Sequence, residues 1–137
     1  MQPAAEMIRD GYKGADKLTD KVALVTGADS GIGRSVAIHF AREGADVAVA
    51  YLSETEDAQE TKRRVEAEGA RCHLIPGDLA NADTCRATVA ETIEVLGGLN
   101  ILVNNAGTQW VNTDLTTLPD AQWEDTFAAD MHSQFYL

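Results

Sequence analysis

Cysteine, cationic residues and long apolar runs are all scarce in this chain, and each scarcity excludes something. Cys72 and Cys85 are the only thiols, and they form no C-x-x-C pair. Two isolated thiols make neither a disulfide framework nor a thiolate metal site, and they fit a reducing cytoplasm. Lys and Arg number 11 against 22 Asp and Glu, a net charge of −11. Such a surface repels nucleic acid and anionic membranes, so neither is an expected partner. A nucleotide cofactor is not excluded, because local backbone dipoles can hold its phosphates. His39, His73 and His132 are scattered through the chain, and no metal site is expected. No run approaches a membrane-spanning length, and the first residues contain no apolar signal region, so the expected location is the cytoplasm. Internal repeats and low-complexity tracts are also missing.

What is present is the composition of one ordinary globular domain, 137 residues with 45% hydrophobic and 24% charged. Its organising stretch runs from Val22 to Arg34. A β-branched apolar run ends at Thr26, three glycines (Gly27, Gly31, Gly33) follow, and a helical pattern begins at Ile32. Glycines there let the backbone turn sharply and let a phosphate approach without meeting a Cβ. The helix that follows directs free N–H groups and its positive dipole end at the anion. The spacing G-x-x-x-G-x-G differs from the commoner G-x-G-x-x-G. On the glycines alone, a plain strand-to-helix turn is an equal alternative.

Elsewhere the chain alternates. Residues 1–20 are a polar arm with Pro3, Gly11 and Gly14, expected to lie extended on the domain or on a neighbouring subunit. Strands are predicted at 21–26, 47–51, 72–75 and 99–103. Helices are predicted at 32–43, 54–68, after Asn81 to Leu96, and from Pro119 to the end. The third helix has an apolar stripe at Cys85, Val89, Ile93 and Leu96. This α/β alternation implies a Rossmann-like, doubly wound parallel sheet of order 3-2-1-4. Strands one and four would sit side by side, so Gly27–Gly33 and Asn104–Gly107 would flank the switch-point crevice.

Three motifs now combine. Thr26-Gly27-Ala28-Asp29-Ser30-Gly31-Ile32-Gly33 resembles the T-G-x-x-x-G-I/L-G loop of the short-chain dehydrogenases/reductases. Gly77-Asp78-Leu79 resembles their acid–apolar pair after strand three, and Asn104-Asn105-Ala106-Gly107 matches their N-N-A-G. The resemblance covers about residues 20–137. Tyr12-Lys13-Gly14 is similar to the arm of a bacterial subgroup related to glucose and ribitol dehydrogenases.

That resemblance implies a partial NAD(P)-binding Rossmann domain over 21–137, preceded by the 1–20 arm. It implies an oxidoreductase moving hydride between NAD(P) and an alcohol or carbonyl, a sugar or polyol among the options. In such a protein Gly27, Ser30, Gly31 and Ile32 line the pyrophosphate, and Gly33 allows close helix packing. Asp78 accepts the adenine amino group, Leu79 packs beside the ring, and the segment with Asn105, Ala106 and Gly107 stabilises the central strands and contacts the cofactor ribose, with plain turn residues the competing reading for Asn104 and Asn105. For Asp78 the competing reading is a turn residue after Pro76-Gly77. Tyr51 stands where the family carries an NAD-selecting acid, with no base beside it, and Arg34 is the nearest cation to the loop. With no acid to repel the extra phosphate, the lean is to NADP over NAD. Thr108, Gln109 and Trp110 are candidates for the near wall of a substrate pocket, Trp110 equally for packing. A homo-oligomer is implied for a full-length form.

The departures matter as much. The family's proton-transfer pair is Y-x-x-x-K, with the lysine lowering the tyrosine pKa. Here Asp16 follows Tyr12 at that spacing, Thr55 follows Tyr51, and Tyr136 is next to last. No catalytic residue is therefore assigned, except that Asp130 stands where the family has a helix Asn. It can accept but not donate as an amide does. The stretch from Phe127 still reads as helix and finishes apolar, at Phe135, Tyr136 and Leu137, without a terminator. The expectation is the N-terminal half of a longer enzyme, inactive by itself, with strand four as an apolar edge prone to pairing. The alternative is a catalytically inactive dinucleotide-binding or interaction module.

Overall fold

Pairing of four parallel strands orders the computed structural model, which describes residues 3–137. The first two residues of the arm lie outside that range. The strands are β1 (Val22–Thr26), β2 (Asp46–Tyr51), β3 (Cys72–Pro76) and β4 (Ile101–Val103), in the order β3-β2-β1-β4. Leu24 of β1 stands opposite Ala48 of β2 on one side and Leu102 of β4 on the other. Between the strands run α1 (Gly31–Arg42), α2 (Thr55–Ala67) and α3 (Ala82–Leu96). The expected doubly wound order is therefore the observed one.

Strand alternation divides the core in two. Val22, Leu24, Ala48 and Ala50 pack with Ile75, Leu79, Cys85 and Leu96 on the α3 face. Val25, Val47 and Val49 point the other way, to Ala37, Ala41 and Val65 of α1 and α2. Both faces are covered, which explains why β1 is apolar from Val22 to Val25 and β2 from Val47 to Tyr51.

Three expectations need correction. The buried face of α3 is Cys85, Thr88, Thr92 and Leu96, while Ile93 is 47% exposed. Threonine can take this face because each hydroxyl donates to the carbonyl one turn back, Thr88 to Thr84 and Thr92 to Thr88, both at 2.8 Å. Satisfied in this way, the hydroxyls carry little burial penalty, and the buried stripe rotates away from Ile93. The fourth strand is shorter than 99–103. Asn100 instead clasps β1, donating its N–H to the Val22 carbonyl and accepting the Val22 N–H on its side-chain oxygen, each at 2.9 Å. The last helix is not uniform: α4 (Asp120–Phe127) passes through a π-turn (Ala128–His132) into α5 (Ser133–Tyr136). A 3₁₀ turn, Leu115–Thr117, also interrupts the loop before it, capped by the Asp114 carboxylate.

The arm lies on its own domain, held by Glu43 at the end of α1. That carboxylate accepts the Ala15 and Lys17 N–H groups at 2.9 and 3.2 Å and also the Tyr12 hydroxyl. Together they hold its pKa down at about 2, the phenol contributing most. The Tyr12 ring meets His39 at 5.3 Å between centroids, and Ser35 donates to the Met7 carbonyl at 2.6 Å. Chain order alone gave no sign that Glu43, in a helix tail, was a buried anchor.

Candidate functional site

Strand β1 ends on Thr26, and its hydroxyl joins the two motif loops. It accepts the N–H of Asn105 at 3.1 Å and of Ala106 at 2.9 Å, and it donates to the Val103 carbonyl at 3.2 Å. Asn105 answers with its amide, which donates to the carbonyls of Thr26 (3.0 Å) and Gly27 (3.1 Å). The glycine loop and the N-N-A-G loop are thereby stitched side by side.

Only glycine fits where they cross. Gly27 has φ +64, and a Cβ on it would lie 2.9 Å from the Ala106 Cα. On Gly33 a Cβ would come within 2.4 Å of the Gly27 carbonyl oxygen and 2.5 Å of the Asn105 amide nitrogen. Gly33 and Asn105 therefore form the floor beneath the loop and are packing residues in this geometry.

Just beyond them α1 begins. Ser30 sits extended at its N-cap without a side-chain cap bond, and the first turn carries no acid. By contrast, α2 has Glu56 and Asp57 in its first turn, and α3 has Asp83 with an Asn81 cap. The first N–H groups of α1 are thus left for an external acceptor, and the positive dipole end is not offset by a side chain. Ile32 stands 77% exposed on this rim, beside Ser30 and Gly31.

A cleft of about 240 Å³ opens at the carboxyl ends of the strands. Of the residues singled out by sequence, Gly27, Tyr51, Asp78, Leu79, Ala106, Gly107 and Thr108 line it. Ser30, Gly31, Ile32, Gly33 and Asn105 are not on its wall; the first three edge it, and the last two support it. Asp78 is also a turn residue, since its Oδ1 accepts the Ala80 N–H at 2.9 Å. The two readings of that aspartate are compatible: its other carboxylate oxygen has no protein partner among the described residues.

Sequence reasoning missed Asp29, Ser53 and Glu54, which also line the cleft. Each lies one to three residues from a residue that was singled out, which was the available signal. Arg34 turns away. Its guanidinium donates to Thr61 Oγ1 (2.9 Å), to the Asp57 carbonyl (3.0 Å) and to the Asp29 carbonyl, tying α1 to α2.

Asp130 lies in the π-turn, and its Oδ1 accepts the Thr108 N–H at 2.6 Å. It anchors the loop that follows N-N-A-G, a task for an acceptor that an Asn oxygen performs equally. Thr108, Gln109 and Trp110 border a second groove with Leu115, Trp123 and Phe127. The cysteines are buried, with Cys72 pushed up to about 12 by desolvation, so it is no nucleophile at neutral pH. Among the described residues no group of three or more His, Cys, Asp or Glu side chains is placed to hold a metal. No helix there is long and apolar enough to cross a membrane.

A family model described as short chain dehydrogenase matches residues 21–137. General stress protein 39 of Bacillus subtilis is 50% identical over the whole chain, which covers 48% of that protein. The glucose and ribitol dehydrogenase homolog of Oryza sativa subsp. japonica is 43% identical, again over the whole chain and 48% of the relative. Among solved structures, a short chain dehydrogenase from Burkholderia cenocepacia in complex with NADP superposes with a TM-score of 0.84 at 37% identity. That match covers 87% of this chain and 48% of the other. The chain spans about half the length of the curated relatives it matches.

Proposed function

The chain belongs to the short chain dehydrogenase family, and from that premise we propose that its cleft holds NAD(P) for an alcohol/carbonyl oxidoreductase. The observation that carries this reading is the uncapped, acid-free N-terminus of α1 beside a cleft at the sheet's switch point. In it, Ser30, Gly31 and Ile32 receive the pyrophosphate on backbone N–H groups, and Gly27, whose own N–H is held by the Ala50 carbonyl at 2.8 Å, lines it without a side chain over the floor made by Gly33. Tyr51 borders the adenosine ribose, Asp78 takes the adenine amino group on its free oxygen, and Leu79 packs against the ring. Ala106 and Gly107 approach the second ribose, with Asn105 holding their loop in place from beneath. When bound, the dinucleotide supplies hydride transfer. The chain's own residues bind it, orient it and shape the cleft floor.

The substrate class proposed is a sugar, polyol or other small alcohol, supported by the likeness to relatives named as glucose and ribitol dehydrogenases. The two buried, unpaired cysteines support a cytoplasmic location. For a full-length form we propose a homo-oligomer.

The test is calorimetric titration with ADP-ribose. Saturable binding is expected, lost in Ile32→Glu, which places a carboxylate on an exposed position of the α1 first turn. Absence of binding by the unaltered chain overturns the reading.

One observation favours a second reading alongside it. These 137 residues contain no Y-x-x-x-K, so binding without turnover is expected of this chain by itself, as for a binding module. A panel of polyols with either cofactor checks this, and clear turnover by pure material would refute it.

A further inference from the structure

We infer that the cleft selects NAD over NADP, and that Asp29 and Glu54 are the residues that discriminate. The inference rests on the dinucleotide reading above and goes beyond it to the choice between the two cofactors.

The charged side chains lining the cleft are Asp29, Glu54 and Asp78, with no Lys, Arg or His among the described residues of the lining. Asp78 and Leu79 form the end assigned to adenine. Asp29, from the glycine loop, and Glu54, from the turn after β2, line the same cleft as Tyr51 and Leu52, beside which the adenosine ribose would lie. A 2′-phosphate brings nearly two further negative charges into that space. A 2′-hydroxyl brings a donor, which a carboxylate can accept.

The cation and the helix end that could hold the phosphate are already committed, and the Ser53 hydroxyl in the lining is turned to Glu54 Oε1 at 3.4 Å. Arg34, the cation next to the glycine loop, is 13% exposed and bonded to Thr61, Asp57 and the Asp29 carbonyl. The N-terminus of α2 has Glu54 at its cap position and Glu56 and Asp57 in its first turn, so carboxylates already offset its dipole. The lean to NADP drawn from sequence considered the end of strand two, where Tyr51 replaces an acid. Folding supplies the acids from two other positions. The NADP in the Burkholderia structure belongs to that relative.

The test is calorimetry of the chain with NAD and with NADP, at low and at raised salt. At low salt NAD should bind tighter by about tenfold or more, the size expected of weakly screened like-charge contacts. Raised salt should shrink the ratio. Asp29→Asn with Glu54→Gln should shrink it likewise without altering shape, and Leu52→Arg, at an exposed position, should reverse it. NADP binding as tightly as NAD in the unaltered chain overturns the inference, as does a ratio that the paired substitution leaves unchanged. Binding of neither dinucleotide overturns the cofactor reading itself, and this inference with it.

Discussion

The Thr26 hydroxyl and the Asn105 backbone N–H meet at 3.1 Å, although 79 residues of chain separate them. That contact, with the Ala106 N–H on the same oxygen and the Asn105 amide on the Thr26 carbonyl, sets the spacing of the two loops that border the cleft. Thr26 is 1% exposed, so water cannot replace a lost partner. Thr26→Val keeps the volume and should cost about 1–3 kcal/mol, the penalty for leaving buried donors unpaired. Thr26→Ser, which keeps the oxygen, should recover most of it. Urea unfolding of both variants checks this.

Leu24 is fully buried at the sheet centre, whereas Ile93 faces solvent on α3. Leu24→Ala should therefore destabilise by about 2–5 kcal/mol, transfer and cavity terms together. Ile93→Ala should stay within about 0.5 kcal/mol. Equal losses in the two would restore the stripe predicted from periodicity.

Glu43 holds the arm as a carboxylate with its pKa depressed from 4.5 to about 2. A depressed pKa means stability that is fully present above pH 4.5 and lost as pH falls toward 2. Hydrogen exchange at the Ala15 and Lys17 N–H groups should quicken across that window. In Glu43→Gln, which does not titrate, the pH dependence of their protection should be flatter.

Strand β4 has β1 on one side and no strand on its other side among the described residues, and Leu102 on it is 36% exposed. An apolar, unpaired edge recruits other chains. Light scattering should show self-association rising with concentration, and Leu102→Lys should reduce it. A monodisperse monomer at high concentration would contradict this.

Asp130 acts on the Thr108 N–H through one acceptor oxygen. Asp130→Asn should leave thermal stability within about 0.5 kcal/mol, since the amide oxygen can accept the same bond. Asp130→Ala should loosen the 108–118 loop, read as faster proteolysis there.

By itself the sequence determined what local geometry controls. Uninterrupted apolar runs at Val22–Val25 and Val47–Tyr51 meant strands covered on both faces, and the alternation with helices meant order 3-2-1-4. Three motifs at strand ends meant the family. Tertiary structure decided the partners. Periodicity specifies where a side chain points relative to its own helix, but not which distant group completes its hydrogen bonds. So α3 could bury Thr88 and Thr92 in place of Ile93, because their own backbone satisfied them. Arg34 was drawn to Thr61 and Asp57, Glu43 was enclosed by an arm that had shown no pattern, and Asp29 and Glu54 arrived at one cleft from separate loops. Those outcomes depend on contacts across the sheet's layers, where desolvation makes a missing partner costly.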